Sequence, residues 1–371
     1  MTRIPAWLPV LLLLGGCGDR ATDGNGAPEE GRIGTYAGTG EAGFSGDGGP
    51  AGRAQLHTPL DVVPGPGGDL VVVDFGNHRL RAIAADTEVV TTLAGGDGGV
   101  LRFPADVAFA GRDFYVTSWG SHRVFGYRGG EPFAVAGSGE QGCADSGPAD
   151  AAAIDRPRAI GLLADGTLLI AGQGCRRILA LSPSGELSPW AGTGAAGYGG
   201  DDGPAAEAVF GAADPEGNGP VPGFGFALSP EDPPDELYIA DTGNHVIREI
   251  NLFSGTVRTF AGTGEPGFAD GSPRSATFNR PAAVFVSEDH TVWVADTGNH
   301  AIRRIDPLQI EVATVAGTGR AGFNGDGIPA LETRLDHPAG VYVTGDGVMY
   351  IADSGNHRIR RVSLPGYGPL P

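Results

Sequence analysis

The chain has 371 residues, 65 of them Gly and 29 Pro, and a formal net charge of −19. That charge argues against binding to a nucleic-acid backbone, which needs clustered cations. All 25 basic residues are Arg and none is Lys, which removes phosphate-loop and Schiff-base lysine chemistry. Short β-rich apolar runs separated by turns account for the Gly and Pro, and no long stretch has helical periodicity.

Residues 1–16 read as a targeting segment. Arg3 supplies a short positive region, and Trp7 to Leu14 form an apolar core of signal-peptide length, too short to span a bilayer. Leu14-Gly15-Gly16-Cys17 resembles the bacterial lipobox. By that resemblance Cys17 becomes the first residue of the exported chain and carries acyl chains, several of which anchor stably where one does not. The alternative is an ordinary secretory peptide with an incidental Cys. Residues 17–31 read as a flexible polar tether. The expected location is the bacterial cell envelope, lipid-anchored and facing the periplasm or the cell surface.

Residues 32–363 repeat one unit. Its first strand opens on Pro, at Pro59, Pro104, Pro157, Pro222, Pro281 and Pro338. A Gly/Asp turn leads to a second, more apolar strand: Leu70–Asp74, Phe114–Ser118, Leu168–Gly172, Leu237–Asp241, Val292–Asp296 and Met349–Asp353. The sequence Asp-Thr-Gly-Asn-His then recurs as Asp241 to His245 and Asp296 to His300, with variants Asp74-Phe-Gly-Asn-His78 and Asp353-Ser-Gly-Asn-His357. A third strand alternates apolar residues with Arg, so one face is buried and one is wet. A fourth ends in Ala-Gly-Thr-Gly at Ala37, Ala191, Ala261 and Ala316, with weaker copies at Ala94 and Ala136. Repetition at roughly 45–70 residues means an array of one supersecondary unit.

Four antiparallel strands per unit and six units predict an all-β, six-bladed β-propeller. The last unit ends after its third strand, Arg358 to Val362, whereas Arg32 to Gly38 form a fourth strand that precedes any first strand. The N-terminal strand is therefore expected to complete the last blade and close the ring. Residues 364–371 form a C-terminal tail.

Two further cysteines remain in an exported chain, where disulfides persist. Cys143 takes the place that Phe268 holds in Gly-Phe-Ala-Asp, and Cys175 takes the place of Asn244, both in the third unit. If those positions touch in every blade, the pair forms a disulfide. Ser118-Trp-Gly-Ser-His122 and Gly172-Gln-Gly-Cys-Arg176 also depart from the turn motif, and the fourth unit carries a Pro/Gly-rich insertion between Gly211 and Val221.

The Asn-His pairs followed by Arg, Val or Ala, together with Ala-Gly-Thr-Gly-x-x-Gly-Phe, resemble the NHL-repeat family, in the variety found in teneurin propellers and many exported bacterial proteins. The resemblance covers residues 32 to 363. It implies a propeller that serves as a binding scaffold; a minority of relatives are lyases or hydrolases with a metal in the central channel.

Gly-x-Gly-x-x-Gly begins at Gly38, Gly137, Gly192, Gly262 and Gly317. It lacks the helix and parallel crossover of a dinucleotide site and reads as backbone punctuation. The Asp and Asn of the recurrent turn read as turn-fixing, with the His packed between blades. Acids in the connecting loops (Asp47, Asp201, Asp202, Asp270, Asp326) offer oxygen ligands for Ca²⁺, although no single loop has the spacing of a dedicated site. The position two before the strand-opening Pro reads His57, Arg102, Asp155, Asn279 and Asp336, with His337 beside the last. These polar residues vary in an otherwise repeated frame and are expected to ring the channel mouth. Bringing the first and last blades together is expected to place His57 near Asp336 and His337 as a metal trio; the alternative is ordinary loop polarity before a Pro.

His-Glu-x-x-His, Cys-x-x-Cys and Gly-x-Ser-x-Gly do not occur. Two functions follow. One is a monomeric, lipid-anchored scaffold that binds a protein, peptide or glycan of the envelope, without cofactor or catalysis. The other is a metal-dependent lyase or hydrolase working at the mouth through His57, Asp155 and Asp336 or His337.

Overall fold

The computed structural model of the chain describes residues 29–211, 223–231, 233–308 and 310–367. The leader, Cys17, most of the tether, Pro222 and the end of the tail lie outside them. Six antiparallel sheets form a six-bladed ring. Blade 1 comprises Pro59–Pro64, Leu70–Asp74, Arg79–Ile83 and Val89–Gly95. Blade 2 comprises Pro104–Ala110, Asp113–Ser118, Arg123–Arg128 and Glu131–Ala136. Blade 3 comprises Pro157–Leu162, Leu168–Gly172, Arg177–Leu181 and Glu186–Ala191. Blade 4 comprises Phe226–Leu228, Glu236–Asp241, Val246–Asn251 and Thr256–Ala261. Blade 5 comprises Ala283–Val286, Val292–Asp296, Ala301–Asp306 and Glu311–Ala316. Blade 6 comprises Pro338–Val343, Val348–Asp353 and Arg358–Ser363, completed by Arg32–Ala37.

Two details differ from the sequence reading. The first strands of blades 4 and 5 begin at Phe226 and Ala283, downstream of their prolines. Four blades also gain a fifth, two-residue strand, at Gly49–Pro50, Gly147–Pro148, Gly203–Pro204 and Ile328–Pro329, laid along the outermost strand. An open sheet edge invites further pairing, and a short Pro-bearing segment blunts it.

The second strands are apolar on both faces because each blade is sandwiched between two others. Val71 and Val73 enter the core shared with blade 2, while Leu70 and Val72 enter the core shared with blade 6. No blade buries its faces alone, so stability comes from stacking neighbours. First strands of adjacent blades pack side by side around the axis.

Ring closure follows the expected route. Ile33 pairs with Val362 and Thr35 with Arg360, and the Gly31 amide donates to the Ser363 carbonyl at 2.7 Å. The Ile33 side chain is fully buried in the core between blades 5 and 6. Cys143 and Cys175 form a disulfide spanning 32 residues, with Cα atoms 5.5 Å apart.

If the N-terminal strand closes the ring, Ile33→Ala removes buried contacts at the joint and is expected to cost about 2–5 kcal/mol in urea unfolding. A cost below about 0.5 kcal/mol, the range of ordinary surface substitutions, would show that the joint does not hold the ring.

Candidate binding site at the channel mouth

The recurrent turn is a short 3-10 segment that ends in a left-handed residue, His300 at φ 50 and His357 at φ 54. Every polar member of it has a fixed bond. In blade 5 the Asp296 carboxylate accepts the Asn279 amide through Oδ1 at 2.8 Å, and Asn299 Nδ2 through Oδ2 at 2.8 Å. Asn299 also donates to the Gly267 carbonyl of the connecting loop at 2.7 Å. The Gly298 amide closes onto the Asn279 carbonyl at 2.8 Å, and a Cβ on Gly298 would collide with that carbonyl. Blades 1 and 6 repeat the set with Asp74 and Asp353, and blade 4 repeats it around Asp241 and Gly211.

An arginine seven residues after that Asp completes the unit. Arg81, Arg248, Arg303 and Arg360 are fully buried. Each bridges the turn Asp and the loop Asp: Arg303 lies 2.9 Å from Asp296 and 2.6 Å from Asp270, and Arg360 lies 3.4 Å from Asp353 and 2.9 Å from Asp326. The loop aromatic covers the guanidinium, Phe268 at 5.2 Å over Arg303 and Phe323 at 4.8 Å over Arg360. Four of the five loop acids offered as oxygen ligands are thus engaged by arginine. Asp47, Asp201, Asp270 and Asp326 serve as counter-ions to buried arginines. Burial pushes the carboxyls of Asp74, Asp296 and Asp353 up to about 6 and that of Asp241 up to about 7, against the pull of their arginine and N–H partners.

The histidines join blade to blade. His78 Nδ1 accepts the Phe103 amide at 2.9 Å, His122 that of Arg156 at 3.2 Å, His245 that of Arg280 at 3.0 Å, and His300 that of His337 at 3.1 Å. His357 accepts the Thr58 amide at 3.1 Å across the closing joint. An Nδ1 that accepts an amide N–H cannot carry a proton, so each neutral ring holds its proton on Nε2.

Five of the six mouth positions are held through their backbone amides, that of His337 by His300 as above. The amides of His57, Asn279 and Asp336 are spent on the turn Asp, and that of Arg102 on Ser118 Oγ at 2.8 Å. Their side chains do not converge as one set. His57 packs edge-on against His357, with ring centroids 5.7 Å apart. Asp155 is buried among Gln141, Arg156 and His122. Arg102 is exposed and donates to the Gly99 and Leu101 carbonyls.

Asp336 and His337 do meet, with His337 Nδ1 at 2.6 Å from Asp336 Oδ1, but their third neighbour is His300 rather than His57. Among the described residues these three are the one group of metal-ligating side chains whose ligand atoms lie within 4.8 Å of one another. They do not fit a metal well as they stand. The His300 Nδ1 lone pair is taken by the His337 amide, which leaves its Nε2 protonated.

Deeper in the channel, Asp106 bolts blade 2 to blade 3 by accepting the Ile160 amide at 2.9 Å, and Arg158 donates to the Ala105 carbonyl at 2.8 Å. Burial, and then the Asp106 charge, push the neighbouring Asp61 carboxyl up to about 8.

Sequence reasoning missed the residue after Asp in the recurrent turn. In blades 4, 5 and 6 it is a hydroxyl that donates to the carbonyl of the next blade's proline. Thr242 reaches Pro281 at 2.7 Å, Thr297 reaches Pro338 at 2.7 Å, and Ser354 reaches Pro59 at 2.6 Å. In blades 1, 2 and 3 it is Phe75, Trp119 and Gln173. The signal was the loss of a hydroxyl at a repeated position.

A closed ring of six antiparallel blades, with every turn bonded to its neighbours, is a propeller of the repeat type. Residues 335–362 match the NHL repeat family. Similar proteins include NHL repeat-containing protein 2 of Gallus gallus, 27% identical over 80% of this chain and 45% of that protein. Teneurin-1 of Mus musculus is 24% identical over 85% of this chain and 13% of its own length. The chain spans less than half the length of the curated relatives it matches. Among solved structures, an auxiliary nutrient binding protein from Bacteroides thetaiotaomicron superposes with a TM-score of 0.62 at 17% identity, over 89% of this chain and 75% of that one. The repeat match, the NHL repeat-containing and teneurin relatives and the six-bladed ring together support an NHL-repeat β-propeller.

The histidine bonds predict a pH effect. Burial holds the His78, His245, His300 and His357 rings below the usual histidine value. The unfolded chain protonates these rings near pH 6.5, about the free value, while the folded chain resists. Their contribution to stability is thus complete above about pH 6.5 and is lost as pH falls below it. The raised aspartates act in the opposite sense, so one histidine must be isolated. His300→Asn keeps an acceptor and tolerates positive φ but cannot titrate. Relative to wild type, the variant should become progressively more stable between pH 6.5 and 5 in thermal unfolding. A difference independent of pH would contradict the tautomer assignment.

Proposed function

We propose that the chain is a binding scaffold of the cell envelope, held at the membrane through Cys17, which presents its mouth face to a protein, peptide or glycan. One observation carries this reading. Among the described residues, the repeated Asp, Asn, Arg and His side chains are consumed in bonds that build the ring. What varies from blade to blade is the set of side chains around the mouth. A structural neighbour named as a nutrient binding protein is in keeping with this use of the fold. Fold alone does not fix function, so the support rests on the mouth.

The anchor is tested by fractionation. Wild-type chain is expected in the membrane fraction, and Cys17→Ser in the soluble extracytoplasmic fraction. Equal distribution of the two would remove the lipid anchor from the account.

A further inference from the structure

The mouth is not symmetric. On the side of blades 4 to 6 the turn position carries the hydroxyl bolts. On the side of blades 1 to 3 the same turn position carries Phe75 and Trp119, and Phe103 joins them from the mouth loop of blade 2. Phe75 and Phe103 lie 4.9 Å apart between ring centroids, Phe75 and Trp119 6.1 Å, and Phe103 and Trp119 6.4 Å at 88°. Phe103 sits at φ 51 with 36% of its surface exposed. The left-handed backbone recurs at this loop position in Thr58, Arg156, Arg280 and His337, so what sets blade 2 apart is the large aromatic side chain it carries there.

Polar groups frame this aromatic surface. Trp119 Nε1 donates to Gln173 Oε1 at 2.8 Å, which fixes the indole. The Arg156 guanidinium lies 5.6 Å from the Trp119 ring and is oriented by Asp155 at 3.2 Å. Arg102 stands beside Phe103 and, among the described residues, has no carboxylate within salt-bridge distance. Two exposed or half-buried guanidinia beside open rings run against a chain whose net charge is −19.

We infer that this sector of the mouth binds an acidic saccharide. Sugar rings lay their C–H faces on Phe103 and Trp119, and a carboxylate on the sugar meets Arg102 and Arg156. An exposed aromatic, Phe103, flanked by the half-buried Phe75 and Trp119 and a few fixed polar groups has the makings of a small-ligand site. Guanidinium matches carboxylate in planar geometry as well as charge. A neutral glycan would leave the arginines unused, and a basic ligand would be repelled by them. The inference rests on the scaffold reading and gives it a ligand class.

The test is calorimetric titration of the full chain with oligomers of galacturonate and of glucuronate, and with neutral glucose and xylose oligomers for contrast. Saturable binding of an acidic oligomer is expected, weaker or absent for the neutral ones. Trp119→Thr restores the hydroxyl that blades 4 and 5 carry and so should fold. It is expected to weaken binding about tenfold or more, as is Arg102→Ala. Phe253→Ser, at an exposed hairpin tip, should bind as wild type. Absence of saturable binding at millimolar oligomer, equal binding of neutral oligomers, or full binding by Trp119→Thr would overturn the inference. A photo-crosslinker at position 103 separates the two readings in cells. A polypeptide adduct without saccharide binding overturns the saccharide and leaves the scaffold standing. Neither adduct nor saccharide binding sinks both.

Discussion

The buried arginine of the third strand is the element on which four of the six blades depend. Arg81, Arg248, Arg303 and Arg360 are full charges without solvent exposure. Such a charge is tolerated only when carboxylates and hydrogen bonds surround it. The turn Asp comes from the same blade and the loop Asp from the segment that enters it, so neutralising the arginine also fixes where that segment runs. The loop in turn carries the aromatic that covers the guanidinium. Charge, loop path and cover form one unit.

Blades 2 and 3 show that the members of this unit come and go together. In blade 2 the arginine position is Phe125, and the turn Asp and Asn become Ser118 and Ser121, bonded to each other at 2.7 Å. With no buried cation, no carboxylate is needed. In blade 3 the arginine position is Leu179 and the Asp position is Gly172. There the loop is held covalently, since Cys175 stands where Asn299 contacts the loop in blade 5, and Cys143 follows the loop glycine. The two blades that abandon the charged unit are those whose mouth turns carry Trp119 and Gln173. The frame stays rigid by other means where the surface has changed.

Much of this was legible in the chain. The repeat gave the blade count and the closing strand, because period and turn chemistry are local. The disulfide was legible because Cys175 replaces the turn Asn, which in other blades bonds the loop glycine carbonyl, and Cys143 is the residue after that glycine. The arginines were read only as the wet side of an alternating strand, since alternation cannot distinguish solvent from a neighbouring loop. For the same reason the loop acids looked like cation ligands before the arginines were placed beside them. The mouth trio of His57, Asp336 and His337 paired the wrong partners. Each turn His reaches forward to the next blade, so His300 meets His337 and His357 meets the loop of His57.

The central claim is that the buried charge and its carboxylate are one interdependent unit. The direct measurement is the coupling energy between Asp296 and Arg303 from urea unfolding of Asp296→Ser, Arg303→Phe and the double variant, which together install the pair found in blade 2. Asp296→Ser alone is predicted to cost about 3–5 kcal/mol, because it strips a buried charge of a partner. The double variant is predicted to cost less than the sum of the single variants by roughly 1–3 kcal/mol. Additive costs would contradict the account.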